Sequence, residues 1–414
     1  MVYVKKFDNG LRLIAKRIDG LLSVSAGVLV KTGSMNESSS ENGISHFIEH
    51  VMFKGTEKRS AFDISDHIDR IGAQINAFTS KELTCYYTKS TKEHLENSLD
   101  ILSDIFFNSV FEKEELEKEK GVVIEEIKMC EDTPEDLCLD LLARSYYGEN
   151  GLGQTILGSE KNVKSFNRDI IRNYMDKYYT ADNVVISIVG NIDVDKTVEL
   201  VERYFADKFK AIVSVKQNQT TYVNLQNLCK SKRIEQTHLG FAMKGFKIKD
   251  ELSDAFSIAN NILGGSMSSR LFQKIREELG LCYSVYSYAS QYKDNGILEI
   301  YAGVNTDARD KAVSAIVDEI RKFKKDRITQ QEFIRGKEQI KSSFIFGQES
   351  TASQMIVYGK YMIFLDEVFD FDKRIDMISK VSYDNVCDAI NHSFDIDNAA
   401  TATVGPKRSA IKFN

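Results

Sequence analysis

The order of predicted secondary-structure elements repeats in the two halves of this chain. Hydrophobic periodicity predicts, in each half, a strand, two helices, a β-hairpin and a further helix, with similar spacing between them. The predicted elements span residues 23–33, about 40–53, 60–71, 74–87 and 92–107 in the first half, and 237–244, 252–263, 269–279, 283–304 and 309–322 in the second. Residue identity between the halves is faint, so the repeat is one of architecture. Such a chain is restricted to folds in which one kind of domain occurs twice.

The length of the chain agrees with two domains, because 414 residues are too many for one compact core. A polar segment at residues 215–232 is the best candidate for the linker. We therefore divide the chain into an N-terminal domain, residues 1–218, and a homologous C-terminal domain, residues 219–414. The predicted fold class is α+β, an α/β sandwich in which each domain is a mainly antiparallel sheet packed with helices.

Charge and hydropathy exclude several classes of partner. The chain has 61 acidic and 55 basic residues, with the two signs interspersed, which argues against nucleic acid or an anionic membrane as the main partner. The sequence contains no run of 18 or more apolar residues, so it predicts no membrane-spanning helix. The N-terminus alternates around Asn9-Gly10 as a β-hairpin does, unlike a signal peptide. The six cysteines are scattered and lack metal-binding spacing. Together with the absence of a signal-peptide pattern, they predict a cytoplasmic protein with reduced thiols.

The first predicted helix carries two histidines at the spacing of metal ligands. His46 and His50 are four residues apart, so on a helix their imidazoles project from one face and can meet one ion. Glu49 lies on an adjacent part of that face, where its carboxylate can act as a general base on a metal-bound water. The corresponding helix of the second half has Phe256 and Asn260 at these places, so only the first half predicts a metal site.

A catalytic zinc site needs a third protein ligand. The predicted helix at residues 111–131 has carboxylates among apolar residues. Glu126 and Glu119 are seven residues apart on one face, which predicts a ligand and a supporting carboxylate that orients it. Glu125 is interpreted as an exposed helix carboxylate.

The alternative to a metal site is a chance His-Glu-His face on a solvated helix, because the HxxEH pattern alone is moderately specific. Metal binding is favoured because the chain has only six histidines and two of them fall at ligand spacing. The other histidines have no such companion and are interpreted as ordinary surface or core residues: His67, His94, His238 and His392.

These residues resemble the pitrilysin and insulinase family of zinc peptidases, whose inverted motif is HxxEH. The family signature is matched by HFIEHVMFKGT at residues 46–56, and the resemblance covers nearly the whole chain. It is closest to the shorter, single-half members, which are bacterial relatives of the mitochondrial processing peptidase. The resemblance implies that His46, His50 and Glu126 bind one Zn²⁺ per chain, that Glu49 activates a zinc-bound water and that Glu119 supports the site.

The resemblance also implies how a substrate is held. The segment at residues 75–82 resembles the family's edge strand, to which a peptide is added as an extra β-strand. The predicted substrate-strand residues are Asn76, Ala77, Phe78 and Thr79. In the second half, Arg276 and Tyr283 would hold the substrate's carbonyl or the oxyanion that forms from it.

The chain has half the length of the family's large single-chain members, which implies that two copies close into a chamber. We expect a homodimer in which Arg276 and Tyr283 of one copy complete the zinc site of the other. A heterodimer with a homologous chain is the alternative.

The predicted function is that of a zinc-dependent endopeptidase that hydrolyses unfolded or short polypeptides inside a closed chamber. No cofactor other than zinc is implied, and no residue pattern defines a specificity pocket. The alternative is a non-catalytic or partner-dependent subunit of the same fold that serves assembly or peptide binding. Degenerate members usually lose ligands or the base, whereas this chain has all of them, which favours the enzyme.

Overall fold

The structure is a computed structural model, and it describes residues 1–209, 222–407 and 410–411. Within these residues the strands are β1 Val2–Lys6, β2 Arg12–Arg17, β3 Ser23–Val30, β4 Gln74–Thr79, β5 Thr84–Thr91, β6 Val184–Gly190, β7 Asn227–Ser231, β8 Gln236–Lys244, β9 Cys282–Gln291, β10 Gly296–Asn305 and β11 Ala400–Gly405.

The helices of the first half are α1 Ile44–Val51, α2 Ala61–Arg70, α3 Leu95–Asn108, α4 Lys113–Asp132, α5 Pro134–Tyr147, α6 Glu160–Ser165, α7 Arg168–Tyr178 and α8 Val194–Tyr204. Those of the second half are α9 Ser253–Leu263, α10 Arg309–Asp326, α11 Gln330–Gly347, α12 Thr351–Leu365, α13 Phe371–Lys380 and α14 Tyr383–Ser393, with a π-helical segment at Phe272–Glu278. None of the helices in the described residues is both long enough and apolar enough to cross a membrane.

The chain forms two compact units, and neither is continuous in sequence. The first consists of Met1–Ile127, Thr155–Gln219 and Gly347–Phe369, and the second of Lys128–Gln154, Thr220–Phe346 and Asp370–Asn414. Each unit has its own sheet and its own hydrophobic core. Each unit also takes one helix from the other half of the chain, since α12 belongs to the first unit and α5 to the second. The predicted domain boundary between residues 218 and 219 lies outside the described residues.

The two sheets have the same strand order, which confirms the predicted duplication and the mixed fold class. The order is β1-β2-β6-β3-β5-β4 in the first unit and β7-β11-β8-β10-β9 in the second. The pairs β2–β6 and β7–β11 are parallel, and the other pairs are antiparallel. Apart from the additional β1, each strand of the first sheet therefore has a counterpart in the second. The predicted N-terminal hairpin is β1 and β2, with Gly10 at φ +93° in its turn.

Strand β3 is buried on both faces because helices cover the sheet of the first unit on both sides. Its residues 24, 26, 28 and 30 belong to the core on one side. On the other side it meets α12, and glycine on each element allows the close approach. A Cβ atom added to Gly27 would lie 2.3 Å from Sδ of Met355, and one added to Gly359 would lie 2.5 Å from Cδ2 of Leu29. The contact between β3 and α12 therefore depends on these two glycines.

We expect Gly359→Ala to destabilise the protein by about 1–3 kcal/mol, because the added methyl group overpacks against Leu29. Gly121→Ala on α4 is the matched control, since among the described residues no atom lies within 4 Å of the added Cβ. Alanine is the better helix former, so this control should stabilise by about 0.5–1 kcal/mol. Urea denaturation measures both changes, and a stabilising Gly359→Ala would contradict the close packing of α12 on β3.

Candidate metal centre

Helix α1 begins at Ile44, slightly later than the predicted start at residues 40–42, and a buried carboxylate caps it there. The carboxylate of Glu37 accepts hydrogen bonds from the backbone N–H groups of Gly43, at 2.7 Å, and Ser45, at 2.8 Å. Glu37 is 1% exposed, and burial raises its pKa while these hydrogen bonds oppose the rise. Gly43 has φ +99°, and an added Cβ would lie 2.6 Å from the carbonyl oxygen of Leu157. The first turn of α1 is therefore fixed immediately before His46.

The structure brings together the three predicted metal ligands. His46 and His50 lie one turn apart on α1, with their ring centroids 4.6 Å apart. Glu126, on α4, places its Oε2 atom 3.6 Å from Nε2 of His46 and 3.4 Å from Nε2 of His50. Ligand atoms of all three residues lie within 4.8 Å of one another. Two helices that are separated in sequence thus present two imidazole nitrogens and one carboxylate oxygen to the same point.

The distances and the donor set fit a zinc ion. Two atoms bound to one tetrahedral zinc at about 2.0–2.2 Å are separated by roughly 3.3–3.6 Å, which agrees with the spacing of Glu126 from both imidazoles. Two imidazoles and one carboxylate are the ligands of a catalytic zinc site that keeps a fourth position for water. Burial, together with the nearby His50, lowers the pKa of His46 to about 4. His46 is therefore neutral at physiological pH, as a metal ligand must be.

Glu119 contacts His50 at the ring nitrogen that faces away from Glu126 and thereby orients the ring. Its Oε1 atom lies 2.9 Å from Nδ1 of His50, and its Oε2 atom lies 2.8 Å from Nζ of Lys54. Burial would raise the pKa of Glu119, but the contacts with His50 and Lys54 lower it, so the group is a carboxylate. A carboxylate only accepts hydrogen bonds, so Nδ1 of His50 carries a proton, and Nε2, which lies on the side of Glu126, is the nitrogen left for a metal ion. His46 differs, because its buried Nδ1 has no hydrogen-bond partner among the described residues.

Glu49 lies on the same helix as the two histidines, but it is not one of the three converging ligands. Its Oε2 atom accepts a hydrogen bond of 2.5 Å from Oγ1 of Thr79, the last residue of β4. Burial raises the pKa of Glu49, whereas the bond from Thr79 and the nearby His50 oppose the rise. A carboxylate with a raised pKa beside a metal position is suited to accept a proton from water.

The predicted substrate strand is at the edge of the first sheet. Strand β4 contains Asn76, Ala77, Phe78 and Thr79 and pairs with β5. Among the described residues no strand pairs with its other side. An edge of this kind presents unpaired backbone groups to which an extended peptide can add.

Arg276 and Tyr283 belong to the second unit and lie next to each other there. The guanidinium of Arg276 is 4.9 Å from the ring centroid of Tyr283 and 4.6 Å from that of Phe272. Tyr283 is 76% exposed. The structure therefore groups these two residues with each other in the second unit.

Two residues of the centre have roles that the sequence does not reveal. Glu37 is an isolated acid in a polar loop, and Lys54 is part of the signature but follows no rule of ligand spacing. A buried acid that caps a helix six residues downstream gives no periodic signal. An N-cap residue normally lies directly before the helix, where sequence reasoning looks for it.

Comparisons with known proteins match two successive parts of the chain to two family models. Residues 16–160, which contain the three predicted metal ligands, match the model of the insulinase family, peptidase family M16. Residues 165–340 match the model described as the peptidase M16 inactive domain. A Bacillus subtilis protein named an uncharacterized zinc protease is 43% identical over 392 residues, which cover 95% of each chain. This chain belongs to the M16, or insulinase, family of peptidases. The predicted resemblance is confirmed.

Other proteins that are similar to this chain agree with it in length and fold. An uncharacterized zinc protease of Streptomyces coelicolor is 34% identical over 91% of this chain and 84% of its own. The crystal structure of a Helicobacter pylori protease has a TM-score of 0.89 at 22% identity, covering 98% of this chain and 99% of its own. A Pseudomonas fluorescens structure, described as a peptidase M16 inactive domain, also has a TM-score of 0.89, at 19% identity over 99% and 100% of the two chains. The structural likenesses show the fold.

We expect Glu119→Gln to lower zinc affinity by about 10- to 100-fold, because an outer carboxylate fixes the orientation and basicity of a histidine ligand. Glu125→Gln is the control, since Glu125 is on the same helix but exposed. Competition with a chromophoric chelator measures both affinities. Equal affinities for the two variants would contradict the supporting role of Glu119.

Proposed function

We propose that this chain is a zinc-dependent endopeptidase that hydrolyses unfolded or short polypeptides. The observation that carries the proposal is the convergence of His46, His50 and Glu126, with Glu49 beside them on the same helix. The relatives that are named zinc proteases match this chain over nearly its whole length, which supports the same chemistry here.

The chain's own residues would divide the reaction as follows. His46, His50 and Glu126 hold the ion, and Glu119 keeps His50 in the correct tautomer. Zinc supplies a Lewis acid that polarises the peptide carbonyl and makes water acidic enough to attack near neutral pH. Glu49 accepts the proton of the attacking water and returns it to the leaving amine.

Strand β4 would hold the substrate. Main-chain pairing with an edge strand selects an extended conformation and accepts many side chains, so folded proteins are poor substrates and the cleavage preference is broad. Asn76 is exposed in this strand, while residues 77–79 are half-buried. This supports β4 as the strand that binds the peptide, with Glu49 hydrogen-bonded to its last residue, Thr79.

The oligomeric state is part of the proposal. We infer that two copies enclose a chamber and that Arg276 and Tyr283 of one copy contact the substrate at the zinc site of the other. The two side chains are adjacent, and Tyr283 is largely exposed, as groups that complete another site would be. Both can donate hydrogen bonds to a carbonyl oxygen as negative charge develops on it.

A non-catalytic role is the rival function, and the match to an inactive-domain model does not favour it. That match covers residues 165–340, whereas all three metal ligands and Glu49 lie within residues 16–160, which match the insulinase model. The inactive description therefore concerns a part of the chain for which no metal site is predicted.

Wild type should cleave an unstructured quenched-fluorescence peptide, and Glu49→Gln should lose activity by at least about a hundredfold while it retains zinc. The amide keeps the shape of Glu49 but cannot accept the proton. Zinc content is determined on both preparations. Wild type that binds zinc but leaves diverse peptides intact would favour the non-catalytic role.

Mixing two inactive variants tests the shared site. If Arg276 acts on the other copy, a heterodimer of Glu49→Gln and Arg276→Ala subunits contains one fully competent site out of two. Re-associated mixtures should then regain activity, up to about half that of wild type per heterodimer. Heterodimers that are confirmed by mass spectrometry but remain inactive would contradict a site shared in this way.

A further inference from the structure

We infer that Thr79 is a positioning residue for Glu49, so that the end of the substrate strand also sets the direction of the general base. The inference rests on the proposed function, because it assigns a task within the same reaction. Strand β4 is proposed above to bind the substrate through its main chain, and the inference gives one of its side chains a second role.

The contact itself is specific. Oγ1 of Thr79 lies 2.5 Å from Oε2 of Glu49. The hydroxyl must donate, because an ionised carboxylate has no proton to give. Thr79 is the only donor that hydrogen-bonds this carboxylate within the described part of the chain. With Oε2 engaged, Oε1 is left for the attacking water.

Thr79 can hold the carboxylate because it is itself held firmly. It is the last residue of β4 and pairs with Thr84 of β5. Thr84 is fully buried and donates a hydrogen bond of 2.9 Å to the carbonyl oxygen of Thr32. The turn that follows is closed by a bond of 2.8 Å from the N–H of Ser80 to the carbonyl oxygen of Leu83. A β-branched side chain also has few χ1 choices.

Glu49 needs such a partner more than the ligands do. Its side chain is long, has several rotatable bonds and is not directly restrained by the metal, whereas a general base must lie within hydrogen-bonding reach of one proton. A donor on β4 ties the base to the strand that aligns the peptide. Strand β4 then fixes the positions of both the general base and the scissile bond.

Thr79→Val removes the hydroxyl and keeps the branched shape. We expect kcat to fall by about 10- to 100-fold, because a base displaced by a fraction of an ångström is less effective, while KM changes by less than about threefold. Thr79→Ser keeps the donor and should retain most of the activity. Zinc content and thermal midpoint should match those of wild type in both variants.

Thr88→Val is the matched control on the neighbouring strand. Thr88 pairs with Ile75 of β4, and its buried Oγ1 has no hydrogen-bond partner among the described residues. Removing this hydroxyl should leave kcat and KM unchanged. Loss of activity in Thr79→Val alone would therefore be due to the contact with Glu49.

A binding measurement separates positioning from substrate affinity. In the Glu49→Gln background, Thr79→Val should leave the Kd of a fluorescent peptide unchanged and should cause no further loss of residual rate. Unchanged kcat in Thr79→Val, an equally impaired Thr79→Ser, or a full additional loss in the Glu49→Gln background would overturn the inference while the proposed function stands. Wild type that is inert on every peptide would overturn the proposed function, and the inference with it.

Discussion

The centre depends on the position of α1, and a buried carboxylate fixes where this helix begins. Glu37 accepts hydrogen bonds from two backbone N–H groups at its first turn, where the positive end of the helix dipole favours an anion. His46, Glu49 and His50 all follow within the same eight-residue helix, so one constraint places two of the predicted ligands and the predicted base. Only Glu126 must be brought from another helix, and the hydrophobic core of the first unit holds both helices in place.

Much of this site follows from the sequence, because it depends on helical spacing. A separation of four residues puts His46 and His50 on one face, and the separation of seven between Glu119 and Glu126 does the same on α4. Local patterns also give the hairpins and the repeated order of elements. They cannot give the cap from Glu37, which comes from a loop, nor the hydrogen bond from Thr79 to Glu49, which joins a strand to a helix.

The exchange of helices between the units also escapes local reasoning. The apolar face of a helix shows that it must be buried, but it does not show against which sheet. Strand β3 alternates between core residues and residues that meet α12, and small side chains such as Gly27 are the only local sign of the second layer. The same order of strands thus occurs in both units, but only one of them has the two histidines. At the corresponding positions, the second half of the chain has the buried Phe256 and, one turn later, Asn260.

Zinc K-edge X-ray absorption of the purified protein tests whether two histidines and a glutamate hold one zinc ion. We expect one zinc per chain in a shell of nitrogen and oxygen atoms at about 2.0–2.1 Å, with the multiple-scattering pattern of two imidazoles. In Glu126→Gln the imidazole pattern should persist while affinity falls. A shell that contains sulfur, or an imidazole pattern that survives in a protein lacking both His46 and His50, would contradict it.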